Sequence, residues 1–184
     1  AHNVVMLHLS ANNYARALLA NGGDSWISPE EAQNFAAAIY AVCDDLDRAE
    51  DGIISNVSAC LEATQDFRVA NSDNPVRCDG GTNTGATCLS DAQIEALNEF
   101  DQAYDLGFSV FADDESTSVF PKWTPFEGST FFDGGNPNLG RTGPDNALQH
   151  GPGDATPRFA IAQDLTIDTM NDFDPAQYAG RIGV

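Results

Sequence analysis

Carboxylates spaced along residues 44–52 could hold a metal ion. Asp47, Asp51 and Gly52 fall at positions one, five and six of an EF-hand calcium loop. In such a loop the glycine permits a sharp turn, and the residue at position seven, here Ile53, offers its backbone carbonyl. The spacing therefore indicates an oxygen-lined site for a hard cation. A solvated acidic turn at the end of a helix is the alternative.

The fit to an EF-hand loop is incomplete at two positions. Position three is Ala49, which has no side-chain oxygen, and position twelve is Ser58, where a bidentate glutamate belongs. Asp44, three residues before Asp47, could supply the missing carboxylate from the end of the preceding helix. We therefore expect a cage of three carboxylates and two backbone carbonyls, from Asp44, Asp47, Asp51, Ala49 and Ile53.

The same stretch carries a family resemblance. Residues 43–54 read Cys-Asp-x-Leu-Asp-x-x-x-Asp-Gly-Ile-Ile. This motif resembles the calcium motif in the lid domain of the tannase and feruloyl esterase family, which includes the hydrolases of mono(2-hydroxyethyl) terephthalate. The resemblance implies Ca²⁺ bound through the three aspartate side chains and the two carbonyls of the predicted cage. Arg48 stands where the family usually has glycine, which alters the turn but no ligand position.

Four cysteines make an even set that permits three pairings. A zinc site is the competing interpretation, but no Cys-x-x-Cys pair and no nearby histidine supports it. Sequential pairing would join Cys43 to Cys60 around the acidic loop, and Cys78 to Cys88 across a segment rich in Gly, Thr and Asn. The lid of the resembling family has a disulfide around its calcium loop, which agrees with this pairing. Disulfides imply an oxidising compartment, so we expect a secreted or periplasmic protein.

Length and charge narrow the function classes. The 184 residues can bury one sizeable core, so we expect a single domain over residues 1–184. The formal charge of −20, from 28 acidic and 8 basic residues, repels phosphate backbones and argues against nucleic-acid binding. Because the sequence has no long apolar run, we expect no membrane association.

Helix-start signals and residue patterns predict where the helices, strands and loops of the chain lie. Ser28-Pro-Glu-Glu31 and Ser90-Asp-Ala-Gln93 are capping boxes, which predict helices from 29 to about 42 and from 91 to about 104. A looser pattern predicts a helix over about 5–20. Short strands and turns fit residues 108–132, and residues 133–157 are predicted to be a long loop. We therefore expect an α+β, loop-rich fold with capped helices and a few short strands, stapled by two disulfides and by the calcium loop that the resemblance implies.

Aromatic residues between 108 and 132, together with an arginine farther on, could contact an aromatic acid. The guanidinium group of Arg158, which is next to Phe159, could hold a carboxylate. Trp123 or Phe159 could then stack on the aromatic ring of the acid. Alternatively, Arg158 forms a surface ion pair and Trp123 belongs to the core. We retain Trp123, Arg158 and Phe159 as candidate substrate contacts.

The motifs of a self-sufficient hydrolase are absent from the sequence. It contains no Gly-x-Ser-x-Gly elbow, and its three histidines, at 2, 8 and 150, suggest no catalytic triad. In the resembling family, an α/β-hydrolase core carries the nucleophile before an inserted lid, and the catalytic Asp and His after it. The resemblance thus implies that this chain is the lid, excised from a larger chain. Its partners would be the catalytic domain of the same parent chain and an aromatic ester.

Two other functions remain possible from the residues. One is a free-standing calcium-dependent interaction module, dockerin-like in its half EF-hand. The other is a complete small hydrolase, which is disfavoured because no nucleophile can be named.

Overall fold

Helices account for most of the regular structure in the computed structural model, which describes residues 2–110, 118–129 and 150–182. The α-helices of this part of the chain are α1 His2–Leu19, α2 Pro29–Cys43, α3 Val57–Ala63, α4 Asp91–Phe100, α5 His150–Ala155 and α6 Ala179–Ile182. Single 3₁₀ turns lie at Asn21–Gly23, Asp44–Asp47, Gln65–Arg68, Asp79–Gly81, Pro125–Glu127 and Pro175–Tyr178. A π-helix, Thr156–Ala162, follows α5 directly.

Both predicted capping boxes are present. The Ser28 hydroxyl accepts from the Glu31 amide at 3.2 Å, and the Glu31 carboxylate accepts from the Ser28 amide at 2.6 Å. Ser90 and Gln93 make the same reciprocal pair at 3.2 and 2.8 Å. Because these bonds satisfy N–H groups that a helix start leaves open, α2 and α4 begin where the sequence predicts.

The second capped helix ends earlier than predicted, at Phe100 rather than near Tyr104. Tyr104 instead belongs to a short strand, β1 Tyr104–Asp105, which pairs antiparallel with β2 Val119–Phe120. Tyr104 lies opposite Phe120, so this register places two aromatic side chains across from each other. The prediction of short strands in the aromatic region is confirmed for β2.

Helix α1 joins two hydrophobic clusters. Its residues Tyr14 and Leu18 belong to the larger cluster, where Phe35 and Ile39 of α2 and Ile94, Leu97 and Phe100 of α4 are also buried. Met6 and Leu9 of α1 belong to the smaller cluster, with Leu106, Val110, Ile161, Phe173 and Ile182. The apolar faces predicted for α2 and α4 therefore pack into the core. Because α1 contributes to both clusters, it connects α2 and α4 to the residues of the smaller cluster.

A glycine sets the approach of α5 to α1. A Cβ on Gly153 would lie 2.7 Å from the Cα of Asn12, closer than packed atoms approach. The Asn12 amide donates to the carbonyls of Gly153 and Thr169, each at 3.0 Å. This contact holds the residues on either side of Gly153 against α1.

Two sequence predictions differ from the structure or fall outside it. Residues 150–155 are helical rather than part of a loop running to Pro157, so His150 begins α5. Phe111, Phe131, Phe132 and the remainder of the predicted loop, 133–149, lie outside the described residues. In the described part of the chain, no helix combines the length and apolarity of a membrane span.

Candidate functional site

The acidic loop begins where α2 ends. A 3₁₀ turn, Asp44–Asp47, continues from Cys43, and the chain then turns through two left-handed residues, Arg48 with φ 77° and Gly52 with φ 76°. Asp44 Oδ1 accepts from the Gly52 amide at 2.9 Å, across eight residues. The loop therefore closes on itself with Asp44 as part of it, while the role of Asp44 as a metal ligand stays a prediction. Arg48 adopts the left-handed conformation for which a glycine would carry no steric cost.

Asp47 has the most backbone contacts of the predicted ligands. Its Oδ1 accepts from the Ala49 amide and its Oδ2 from the Ser55 amide, both at 3.0 Å. These two N–H donors, that of Ala49 first, lower the pKa of Asp47 below its usual range. The side chain is thus a carboxylate at neutral pH, the form that a cation requires.

The donor types fit a hard cation, because all five predicted ligands are oxygens. Asp51 also accepts a backbone bond, from the Ile53 amide at 3.0 Å. Within residues 2–110, 118–129 and 150–182, however, no group of three or more His, Cys, Asp or Glu is arranged to hold a metal ion. The aspartates bond to the loop's own amides, and calcium at this loop stays a prediction.

Two disulfides have the predicted pairing. Cys43–Cys60 joins the end of α2 to α3 and encloses the acidic loop, and Cys78–Cys88 closes the Gly-rich segment. All four cysteines of the sequence are therefore paired. Both disulfides are consistent with an oxidising compartment.

Arg158 lies in the π-helix and pairs with Asp154 of α5. Its Nη2 donates to Asp154 Oδ1 at 2.6 Å, its Nε to Asp154 Oδ2 at 3.1 Å, and its Nη1 to the Leu165 carbonyl at 3.0 Å. Donation by the guanidinium is the main reason why the pKa of Asp154 is lowered, and the Thr169 hydroxyl adds to it. The ion pair that the sequence left open for Arg158 is therefore formed.

A cavity of about 390 Å³ lies beside this ion pair. Its polar lining comes from Arg16, His150, Asp154, Arg158, Asp168, Thr169 and Asn171. Arg16, on α1, donates to the Phe173 carbonyl at 3.2 Å and has no carboxylate partner in the described part of the chain. Sequence reasoning missed Arg16 as a site residue because 141 positions lie between it and Arg158 and no motif connects them.

The other two candidate substrate contacts do not line this cavity. Phe159 is 60% exposed and does not line this cavity. Trp123 packs edge-on against Tyr14 at 5.5 Å and tilted against Phe120 at 5.8 Å, at the border of the larger hydrophobic cluster. The structure brings Arg158 and Phe159 together on one short helix and leaves Trp123 apart from them.

Similar proteins are esterases. The family model described as tannase and feruloyl esterase matches residues 1–162. An uncharacterized esterase of Agrobacterium fabrum is 28% identical over 144 residues, which make up 77% of this chain and 24% of that protein. The crystal structure of feruloyl esterase B from Aspergillus oryzae matches with a TM-score of 0.62 at 18% identity, over 98% of this chain and 31% of the other.

A second crystal structure, an esterase from Aspergillus oryzae, matches with a TM-score of 0.56 at 21% identity, over 98% of this chain and 30% of the other. At these identities the likeness shows a shared fold. The chain spans about a quarter to a third of the length of these relatives.

Proposed function

Because the chain belongs to the tannase and feruloyl esterase family, we propose that it is the non-catalytic lid of a serine carboxylester hydrolase. One observation carries this proposal. The chain matches the feruloyl esterase structure over 98% of its own length but only 31% of that structure's, and its sequence has no Gly-x-Ser-x-Gly elbow. A family member with this coverage and no nucleophile motif is best explained as the inserted part.

The partner in this proposal is the catalytic α/β-hydrolase domain of the same parent chain. Exposed apolar side chains near the Arg158 ion pair support such a contact, since Phe159 is 60% exposed and Leu165 is 69% exposed. Covering side chains of this size removes apolar surface from water, which favours docking. In a secreted or periplasmic enzyme the two disulfides would persist and keep the lid rigid.

The substrate in this proposal is an ester of an aromatic acid, and the lid shapes the pocket for the acid. Three of the five guanidinium N–H groups of Arg158 are engaged, by Asp154 and Leu165, so within the described residues two remain to meet an acceptor oxygen on the acid part of the ester. Asp154 would then fix the orientation of the Arg158 guanidinium group. Phe159, next to Arg158, is the proposed ring contact, and Trp123 is proposed as a second contact on a separate part of the lid. A closed lid would exclude water from the reacting ester.

Calcium is the proposed cofactor of the acidic loop. Bound there, it would supply positive charge among the carboxylates of Asp44, Asp47 and Asp51, with the carbonyls of Ala49 and Ile53 as further ligands. The chain's own part is structural: the Cys43–Cys60 disulfide and the bond from Gly52 to Asp44 hold the loop ends together. The proposal assigns calcium no part in ester cleavage.

An activity assay with a covalent probe tests the lid proposal. We expect the 184-residue chain to hydrolyse neither an aromatic ester nor an acetyl ester, and a fluorophosphonate probe to label none of its serines. The full-length parent should be labelled and active. Labelling of the short chain together with measurable ester turnover would overturn the proposal and favour a complete small hydrolase.

The flanking gene sequence distinguishes the lid from an interaction module. A Gly-x-Ser-x-Gly elbow upstream, with an aspartate and a histidine downstream in the same reading frame, is expected for the lid. Stop codons close to both ends would instead favour the free-standing module.

A further inference from the structure

A second cavity lies on another part of the surface, between the starts of two long helices. It measures about 620 Å³, within the range of small-molecule sites. The 3₁₀ turn after α1, the first turns of α2 and α4, and the loop closed by Cys78–Cys88 form its walls. Its lining includes Asp24, Trp26, Ser28, Glu31, Asn83 and Ser90.

The wall of this cavity is fixed in place by a buried carboxylate. Glu31, only 5% exposed, accepts from the Asn83 amide at 2.6 Å and from the Gln93 amide at 2.9 Å. Asn83 in turn accepts from the Gly85 backbone at 2.9 Å, which holds the loop of the second disulfide. A cavity whose polar lining is already held by such bonds loses little freedom when a ligand enters.

Two serine hydroxyl groups in the lining each have a proton that is not donated to any acceptor in the described part of the chain. Ser28 and Ser90 each accept a backbone N–H through the hydroxyl oxygen, and a hydroxyl that accepts still has one proton to donate. Ser90 is only 4% exposed, and neither proton has an acceptor among residues 2–110, 118–129 and 150–182. A ligand that presents acceptor oxygens would satisfy both.

The same lining disfavours charged ligands. The amides of Ser28, Glu31, Ser90 and Gln93 already donate within the two capping boxes, and the carboxylates of Asp24 and Glu31 would repel an anion. Lys, Arg and His are absent from the lining, as far as the described residues go. A simple cation could meet Asp24 but would leave the serine hydroxyls without acceptors.

We propose that this cavity binds a neutral polyhydroxylated ligand, a saccharide. Sugar hydroxyls both donate and accept, so they can give to Asp24 and receive from Ser28 and Ser90. Trp26 offers an apolar surface for the C–H face of a sugar ring. This site needs neither calcium nor a catalytic domain, so it stands apart from the lid proposal.

Binding of neutral, anionic and cationic small molecules tests the proposal. Saturation-transfer NMR and calorimetry would follow glucose, its anionic counterpart glucuronate, maltotriose and tetramethylammonium. We expect saturable binding of glucose or maltotriose, with glucuronate at least tenfold weaker. Asp24→Asn should weaken the neutral sugar while improving glucuronate, and Trp26→Phe should weaken maltotriose at least threefold. Asp73→Asn, at an exposed aspartate outside the cavity, should change neither.

Three outcomes would overturn the proposal. One is an absence of saturable binding by either neutral sugar. Another is tighter binding of tetramethylammonium than of glucose, which would assign the cavity to cations. The last is an unchanged affinity in both Asp24→Asn and Trp26→Phe when their melting temperatures match the parent protein's.

Discussion

Glu31 and Gln93 bond to each other, with Gln93 Nε2 donating to Glu31 Oε1 at 2.9 Å. Each side chain also completes the capping box of its own helix, at Ser28 and Ser90. The two helix starts are therefore one hydrogen-bonded unit, although 62 residues separate these partners. Gln93 donates as well to the Trp26 carbonyl at 2.6 Å, which ties the turn before α2 to the same unit.

Glu31→Ala should destabilise the protein by about 2–3 kcal/mol, because Gln93, Asn83 and the Ser28 amide would lose a charged acceptor. For a chain of this size that corresponds to a melting temperature roughly 4–12 °C lower. Calorimetry measures the shift, and Glu30→Ala at the adjacent exposed position is the matched control. Equal shifts for the two variants would show that the shared bonds contribute nothing.

Calcium should raise the melting temperature of the protein, and EDTA should reverse the rise. At free Ca²⁺ about 100-fold above Kd, binding stabilises the folded chain by about 2.7 kcal/mol. Asp47→Ala should remove the calcium-dependent part of the shift, in addition to the loss of its bonds from Ala49 and Ser55. Asp45→Ala, at an exposed neighbour outside the predicted ligand set, should retain the calcium-dependent rise in melting temperature. If neither added Ca²⁺ nor EDTA changes the melting temperature of the parent protein, the loop does not bind calcium.

Replacement of Cys43 and Cys60 by serine should cost about 3 kcal/mol, because the disulfide restricts the unfolded chain. The same change at Cys78 and Cys88 should cost about 0.5 kcal/mol less, since it closes 10 rather than 17 residues. Urea denaturation measures both values. Peptide mapping without reduction should find these two pairs; a Cys43–Cys78 peptide or titratable thiols would contradict the assignment.

Asp154→Asn should lower stability at neutral pH by about 1 kcal/mol, a value that allows for partial exposure of the ion pair. The pKa of Asp154 is lower in the folded state than in the unfolded chain. Its full contribution to the stability of the fold is therefore present above the unfolded pKa of about 4. This contribution is lost as the pH falls through the pKa of the folded state. Stability curves of the two proteins should therefore converge below about pH 4. Asp172→Asn, an exposed control, should follow the parent protein, and a constant gap for Asp154→Asn across pH would contradict the linkage.

In the full-length parent, Arg158→Ala and Phe159→Ala should reduce kcat/KM for an aromatic ester by about tenfold or more. Turnover of a small acetyl ester should fall less, because its acyl group has no aromatic ring to contact. Trp123→Ala is expected to show the same selectivity, with an added loss of stability from the core. Val69→Ala, an exposed apolar position outside the Arg158 cavity, is the control. Equal losses on both esters would refute the proposed contacts.

The sequence by itself determined the local features. The two capping boxes involve residues only three positions apart, so their spacing predicts the geometry, while the disulfide around the acidic loop is predicted from sequential pairing together with the family resemblance. Helix α4 ends earlier than the sequence predicts, because Tyr104 pairs with Phe120 across two strands instead of continuing the helix. That choice depends on a strand fifteen residues away, which a capping signal does not report.

Only the tertiary structure decided how the surfaces are assembled. Arg16 and Arg158 share a cavity because Gly153 lets α5 approach α1 at Asn12, a contact across 141 residues. Ser28 and Ser90 face one cavity because Glu31 and Gln93 join two helix starts. In each case, long-range packing sets the distance between the groups. Local sequence specifies each helix end, but the burial of shared apolar faces determines which ends meet.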